Sequence, residues 1–286
     1  MHVFLTGGSG YVGRALLTRL VADGHRVSAL ARSDAAAARV APAGAYVVRG
    51  DLADLAVLRA AAADADVVVH TAVDYTDPDM GPLEEKALDA LLGHGRVVYT
   101  SSTLVYGDTG DRRATEDAPV AADGVQPFKV DGERRVLAEG GLVLRPGLVF
   151  GDGGSSMIGG MLAGARESGT STYVGDGANA WSAVHVGDLV ELYALVLARP
   201  LEGVVLNAVA HPAPTMLELA TAVGEATGTP AVSVPVERAR ETMGAFADQL
   251  TRSLVVDSSR ATALVGWRPQ GPGLLEDITT GSYAAL

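Results

Sequence analysis

The chain has 286 residues, 48% of them hydrophobic, enough for a sizeable α/β core in one large domain with an extension or in two small ones. A net charge of −12 argues against nucleic acid or an anionic membrane surface as the main partner, and the lack of cysteine excludes disulfides, thiolate metal ligands and a cysteine nucleophile. No apolar run approaches the roughly 20 residues of a bilayer span, and the strand-like "HVFLT" follows Met1 directly, so a cytoplasmic protein with no membrane partner is expected.

In chain order, "HVFLT" precedes an amphipathic helix over 11–22 that Asp23-Gly24 stops. Then come "RVSAL", an Ala-rich helix from about Asp34, "AYVV", a helix over 55–63 and "DVVVH". A less regular helix over 82–92, "RVVYT", a helix over 130–139 and "LVLRP" complete the first half. The strands are continuous apolar runs rather than alternating ones, as expected when both sheet faces are covered. Strand–helix repetition at this spacing predicts a doubly wound parallel sheet. From Gly147 the pattern loosens: a Gly/Ser-rich loop, "GDGGSSMIGG", leads into a helix ending near Glu167, followed by helices over 186–198 and 215–226 and a strand at "GVVLNAV". "STYVGDGANAW" reads as a binding loop, and the segments over 232–236, 238–250, 258–266 and 274–283 as a small capping region. The expected division is a dinucleotide-binding domain over 1–150, to which 183–210 returns, and a substrate-binding region over 151–182 and 211–286.

Gly7, Gly10 and Gly13 in "TGGSGYVG" give G-x-x-G-x-x-G directly after a strand and opening a helix. A dinucleotide needs that context: a tight turn, backbone close to a pyrophosphate, and the amides of Tyr11 and Val12 at a helix N-terminus where the dipole favours anions. About 20 residues on, the end of the second strand reads Leu30, Ala31, Arg32, Ser33, without the carboxylate that would hold NAD ribose. Arg32 suits a ribose phosphate and predicts NADP; the alternative is an ordinary exposed arginine. Asp51 in "GDLAD" stands where it can accept from an adenine amino group, or else where it caps the following helix. No pair of the six histidines has metal-ligand spacing, so no metal is expected.

Together, "TGGSGYVG", "GDLAD", "VVVHTA", "VVYTSSTLVYG", "LRPGLVFG" and "VGDGANAWSAVHVGDL" resemble the motifs, in order, of the short-chain dehydrogenase/reductase superfamily. The resemblance is to its extended and atypical branches, related to the NAD-dependent epimerases/dehydratases. It implies a Rossmann fold, a smaller substrate-binding region, a small-molecule substrate and, commonly, a homodimer. It adds Leu52, Thr71, Ala72, Lys129 and Pro146 to the cofactor-binding residues. Ser102 takes the place of the Ser/Thr that positions the substrate oxygen, with Ser101 and Thr103 as close neighbours. Tyr106 belongs to the same motif and is expected to pack beneath the site.

The family pattern Y-x-x-x-K-x-x-x-E maps onto "VQPFKVDGE" with Lys129 and Glu133 in place but Val125 where the proton-exchanging tyrosine stands. Lys129 is one of two lysines in the chain, which favours a retained role at the cofactor ribose. A substitute proton donor is sought at Ser102, Thr103, Lys129, an ordered water or the Asp74–Tyr75 loop. Tyr173 and Trp181 are expected as pocket walls. Asn179, Ala180, Trp181 and Ser182 stand where sugar-nucleotide enzymes place phosphate-clamping arginines, which suggests a largely uncharged substrate. His185 lines that pocket or bonds to backbone before a helix. These features lead to an NADP-dependent oxidoreductase acting on a small carbonyl or alcohol, with Ser102 and Lys129 as its catalytic residues. The alternatives are a cofactor-retaining epimerase, dehydratase or cyclase, and a non-catalytic NADP-binding regulator.

Overall fold

The structure, a computed structural model, describes residues 1–74, 80–121, 126–244 and 246–285. The chain divides into two compact units, the first comprising 1–102, 126–145 and 190–206, the second 103–125, 146–189 and 207–286. Segments 103–125 and 146–150 therefore leave the expected 1–150 domain. The segment that returns to the first unit is 190–206, narrower than the expected 183–210.

The first unit alternates strand and helix: β1 (His2–Thr6), α1 (Tyr11–Ala22), β2 (Arg26–Ala31), α2 (Asp34–Val40), β3 (Tyr46–Arg49), α3 (Leu55–Ala63), β4 (Val67–His70), α4 (Met80–Leu91), β5 (Arg96–Thr100), α5 (Pro127–Ala138) and β6 (Leu142–Pro146). Further on, β7 (Leu148–Phe150), α6 (Ser156–Ser168), β8 (Ser171–Val174), β9 (Ala183–His185), α7 (Val186–Leu197) and β10 (Val205–Ala208) follow. The central sheet has seven strands in the order β10-β6-β5-β4-β1-β2-β3. The pairs β1–β2, β1–β4, β2–β3, β4–β5 and β5–β6 are parallel. The order reverses beside β1, so β2 and β4 flank it and their carboxyl ends border the glycine loop. That reversal is where doubly wound sheets bind ligands.

β1 and β4 are buried along their whole lengths, which explains their unbroken apolar sequences. Phe4, Leu58, Val68, Leu88, Val97, Tyr99 and Val143 form one continuous core with their neighbours. Helix α5 starts three residues earlier than its hydrophobic pattern predicts, with Pro127 at its first turn, so Lys129 is already helical. Its buried face is Lys129, Gly132, Glu133 and Val136, three of them not apolar, and this is why periodicity misplaces its start.

In the second unit, Phe150, Ile158, Leu162, Trp181, Leu219, Val223, Ile278 and Tyr283 share a separate core. Helix α8 (Met216–Thr227) opens on a reciprocal capping box between Thr215 and Glu218. The "STYVGDGANAW" segment is not wholly a loop, because its first four residues are β8, paired in parallel with β11 (Ala231–Val234). The expected capping region instead contains β11 and four short helices, α9 (Val236–Met243), α10 (Phe246–Gln249), α11 (Ser259–Val265) and α12 (Leu274–Thr279). Among the described residues no helix is long and apolar enough to cross a membrane.

Candidate functional site

The three loop glycines have different duties. Gly7 has φ +76°, and a Cβ there would lie 2.6 Å from Thr71 Oγ1 and 2.8 Å from the Ala72 nitrogen. A Cβ on Gly13 would lie 2.1 Å from the Gly7 carbonyl oxygen, so the start of α1 can rest on the loop only without a side chain there. Among the described residues, a Cβ at Gly10 would meet only the Gly7 oxygen, at 3.2 Å. Two glycines thus serve the protein's own packing and the third leaves a clear approach to backbone.

Gly10 is also the N-cap of α1 and supplies no side-chain acceptor, and the first turn carries no acid. Neither the N-cap nor the first turn thus brings a carboxylate of its own, and the helix dipole at this end suits an anion. Nearby, the loop is braced through Thr6. Its carbonyl accepts from the Thr71 hydroxyl at 2.8 Å and its own hydroxyl from the Ala72 N–H at 3.4 Å. Ser101, just past β5, has a buried hydroxyl with no hydrogen-bond partner among the described residues. An orphaned buried hydroxyl at the carboxyl end of a central strand and a glycine turn without an acid both fit a bound polar ligand such as a dinucleotide.

At the end of β2, Arg32 forms a 2.7 Å ion pair with Asp74, which follows β4. Arg49, in register with Ala31 across β2–β3, pairs with Asp34 at 2.8 Å. Sequence reading missed Arg49, whose signal was its place at the carboxyl end of β3. Asp51 is exposed and closes a local turn, its Oδ1 accepting from the Ala53 N–H while its own N–H donates to Asp54 Oδ2. In these contacts it acts as a turn residue; Leu52 is buried in the core cluster.

Lys129 lies in a buried polar network. Its ammonium donates to Glu84 Oε1 at 2.8 Å and to the Thr100 carbonyl at 3.2 Å, and it stands 4.6 Å from the Tyr99 ring centroid. Tyr99 donates to the same Glu84 oxygen at 2.7 Å. His70 Nε2 is 3.3 Å from the other oxygen, and His70 Nδ1 is 2.6 Å from the Thr6 hydroxyl. The tautomer that donates Nε2–H to Glu84 accepts the Thr6 hydroxyl proton at Nδ1.

Burial opposes charge on Glu84, but the nearby His70 and Lys129 outweigh it and hold the carboxyl well below its usual range. Burial lowers the Lys129 pKa, with Glu84 opposing that shift. Burial and then Glu84 push the Tyr99 phenol far above its usual range, so it stays protonated and a donor. One turn along α5, Glu133 takes Arg145 Nε at 2.8 Å in a buried bidentate pair. The motif's lysine and acid thus both face inward. Neither Glu84 nor His70 was anticipated; Glu84 shares the inward face of α4 with Ala87, Leu88 and Leu91, and an acid in that row was the available signal.

Ser102 is half-buried beside Ser101, whereas Thr103 begins the second unit and is buried. Pro146 ends β6, on the second unit's side of the boundary. Tyr75 and Val125 lie outside the described residues. Within the second unit, Tyr106 is buried and donates to Asn207 Oδ1 at 2.8 Å, in keeping with a packing role.

Two expected wall features need correction. Trp181 is buried in the core and its indole donates to the Arg252 carbonyl at 2.9 Å. Asn179 Nδ2 donates to the carbonyls of Leu250 and Arg252, and Ser182 Oγ accepts from the Val256 N–H. These side chains pin neighbouring loops by pairing with their backbone groups. They therefore give little information about substrate polarity. His185 Nδ1 accepts from the Gly187 N–H at 3.1 Å, the backbone-bonded alternative.

The profile of the NAD dependent epimerase/dehydratase family matches residues 3–209. An uncharacterized protein of Saccharomyces cerevisiae is 33% identical over 295 residues, 97% of this chain and 98% of that one. The 2-alkyl-3-oxoalkanoate reductase of Stenotrophomonas maltophilia is 32% identical over 205 residues, 63% of this chain and 60% of the enzyme. Among solved structures, the dTDP-glucose 4,6-dehydratase of Bacillus anthracis, in complex with NAD, superposes with a TM-score of 0.82 at 19% identity, covering 99% of this chain and 96% of that one. That last likeness concerns the fold, while the profile match spans well over half of the sequence. The chain belongs to the NAD-dependent epimerase/dehydratase family, among the extended short-chain dehydrogenases/reductases.

Proposed function

We propose that this protein is an NADP-dependent oxidoreductase that reduces a carbonyl, or oxidises the corresponding alcohol, on a small metabolite. The observation that carries this reading is the glycine turn: a strand-to-helix turn with Gly10 as N-cap of α1, no acid in the first helical turn, and Arg32 rather than an acid at the end of β2. The reductase relative supports the reaction class.

Bound at the turn, the cofactor supplies or accepts a hydride at its nicotinamide. Gly7, Gly10 and the amides of Tyr11, Val12 and Gly13 receive the pyrophosphate, and Arg32 takes the ribose phosphate. Asp51, Leu52, Thr71, Ala72 and Pro146 complete the nucleotide contacts. Ser102 holds the substrate oxygen by a hydrogen bond. Lys129 uses two of its three N–H groups on Glu84 and Thr100, and offers the third to the nicotinamide ribose. Glu84 keeps that lysine charged and fixed, so it acts as a positioning residue.

The test is NADPH oxidation followed at its nicotinamide absorbance against a panel of aldehydes, ketones and β-keto acids. Turnover with a subset of them is expected; none, alongside tight NADPH binding, would overturn the reading. It would also favour a second one, a non-catalytic NADP-binding protein, which the enclosure of Lys129 by Glu84 supports.

A further inference from the structure

The ion pair at the glycine loop brings together strands on opposite sides of β1. Arg32 follows β2 and Asp74 follows β4, and β1 with its loop lies between those strands. Arg32 Nη1 meets Asp74 Oδ2 at 2.7 Å. The arginine side chain is 58% exposed and the aspartate 24%, so the carboxylate is the more sheltered partner. The nearest acid in sequence, Asp34, does not fill this role. It pairs with Arg49 and is 98% exposed. A carboxylate from a distant strand thus neutralises the guanidinium that follows β2, in a site that otherwise attracts anions.

We propose that Asp74 determines nucleotide selectivity by standing in for a ribose phosphate on Arg32. This rests on the dinucleotide-binding reading above. A guanidinium accepts a carboxylate and a phosphate through the same planar donors, so the two anions compete for it. A dinucleotide carrying the extra phosphate must take Arg32 from Asp74, whereas one without it leaves the pair closed. Asp74 therefore weakens NADP binding relative to NAD and narrows the preference that Arg32 alone would create.

The experiment measures NADPH and NADH dissociation constants by calorimetry for the wild type, Asp74→Asn, Arg32→Ala, the double variant and Asp34→Asn. Circular dichroism confirms folding, and Asp74→Ser replaces Asp74→Asn if the latter is unfolded. Asp74→Asn is expected to tighten NADPH about two- to fivefold, the weight of a largely exposed ion pair, and to leave NADH unchanged. In the Arg32→Ala background the same substitution should change neither. Asp34→Asn removes an equal charge and should have a smaller effect.

Equal tightening of both cofactors would show general charge repulsion and overturn the inference. So would a gain that persists without Arg32, or normal NADPH binding with no gain in folded Asp74 variants. A wild-type protein that binds neither nucleotide would instead overturn the dinucleotide reading, and this inference with it.

Discussion

The Lys129 ammonium and the Glu84 carboxylate form a 2.8 Å ion pair in which both side chains are almost wholly buried, 3% and 4% exposed. Such a pair is costly to break from one side, because the remaining charge is left in a low-dielectric interior. Glu84→Gln should therefore destabilise the protein by about 3–5 kcal/mol. Adding Lys129→Met should recover a large part of that loss, since the pair is then replaced by uncharged groups. Urea unfolding of the four proteins gives the coupling energy. Additive losses would show that the pair does not act as a unit.

The same carboxylate gives stability a definite dependence on pH. In the folded chain His70 and Lys129 hold Glu84 ionised below its ordinary range, despite burial. The unfolded chain takes up this proton at the ordinary carboxylate pKa of about 4.3, so below that pH the unfolded state binds more protons. Stability from Glu84 is thus fully present above the unfolded value and lost as pH falls toward the folded one. Between pH 5 and pH 3 the wild type should lose stability more steeply than Glu84→Gln. Parallel curves from denaturant midpoints would contradict this account.

The loop glycines separate folding from binding. Gly13→Ala would force a methyl to 2.1 Å from the Gly7 oxygen, a backbone atom that cannot swing aside. It should cost stability whether or not a nucleotide is present. At Gly10 the same methyl meets, among the described residues, only that oxygen, at 3.2 Å, so the folded state should be little affected. Nucleotide binding should nonetheless fall for both cofactors, because the methyl occupies the approach to the backbone. Thermal melts with and without NADPH distinguish the two variants. A Gly10→Ala protein that keeps wild-type affinity would move the phosphates elsewhere.

Residues that interact through backbone and spacing were legible in the sequence. The glycine turn, the apolar strands and the missing acid after β2 all follow from local rules, and the parallel doubly wound sheet follows from strand–helix alternation. Residues that act in pairs across the fold were not. Arg32 was legible as a cation, but its partner Asp74 lies 42 residues away and meets it only once β1 is laid between their strands. Lys129 was noticed for its rarity, yet Glu84 reads as an ordinary helix acid until α4 packs beside α5. Trp181 and Asn179 illustrate the converse error. Trp181 suggests a pocket wall and Asn179 an uncharged substrate by type, but their hydrogen bonds to the carbonyls of Leu250 and Arg252 make them loop staples.

Ser102 and Ser101 are neighbours with opposite expected phenotypes. Ser101 is buried and its hydroxyl has no partner among the described residues, a condition that costs about 1–3 kcal/mol for a buried polar group. Ser101→Ala should leave the nucleotide-free protein as stable as the wild type or more so. If NADPH satisfies that hydroxyl, the variant should gain less stability on binding it. Ser102 is half-buried, and the motif assigns it to the reacting oxygen. Positioned acid–base groups contribute about 10²–10⁴-fold, and Ser102→Ala should lower kcat within that range while NADPH affinity is kept. With Val125 at the tyrosine position, this hydroxyl or a water it orients is the first candidate for passing the proton to the oxygen. A pH–rate profile distinguishes those cases: loss of a limb marks proton transfer, and a uniform fall marks lost alignment. Near-normal turnover in Ser102→Ala would remove it from the mechanism and redirect the search to the chain beyond Asp74.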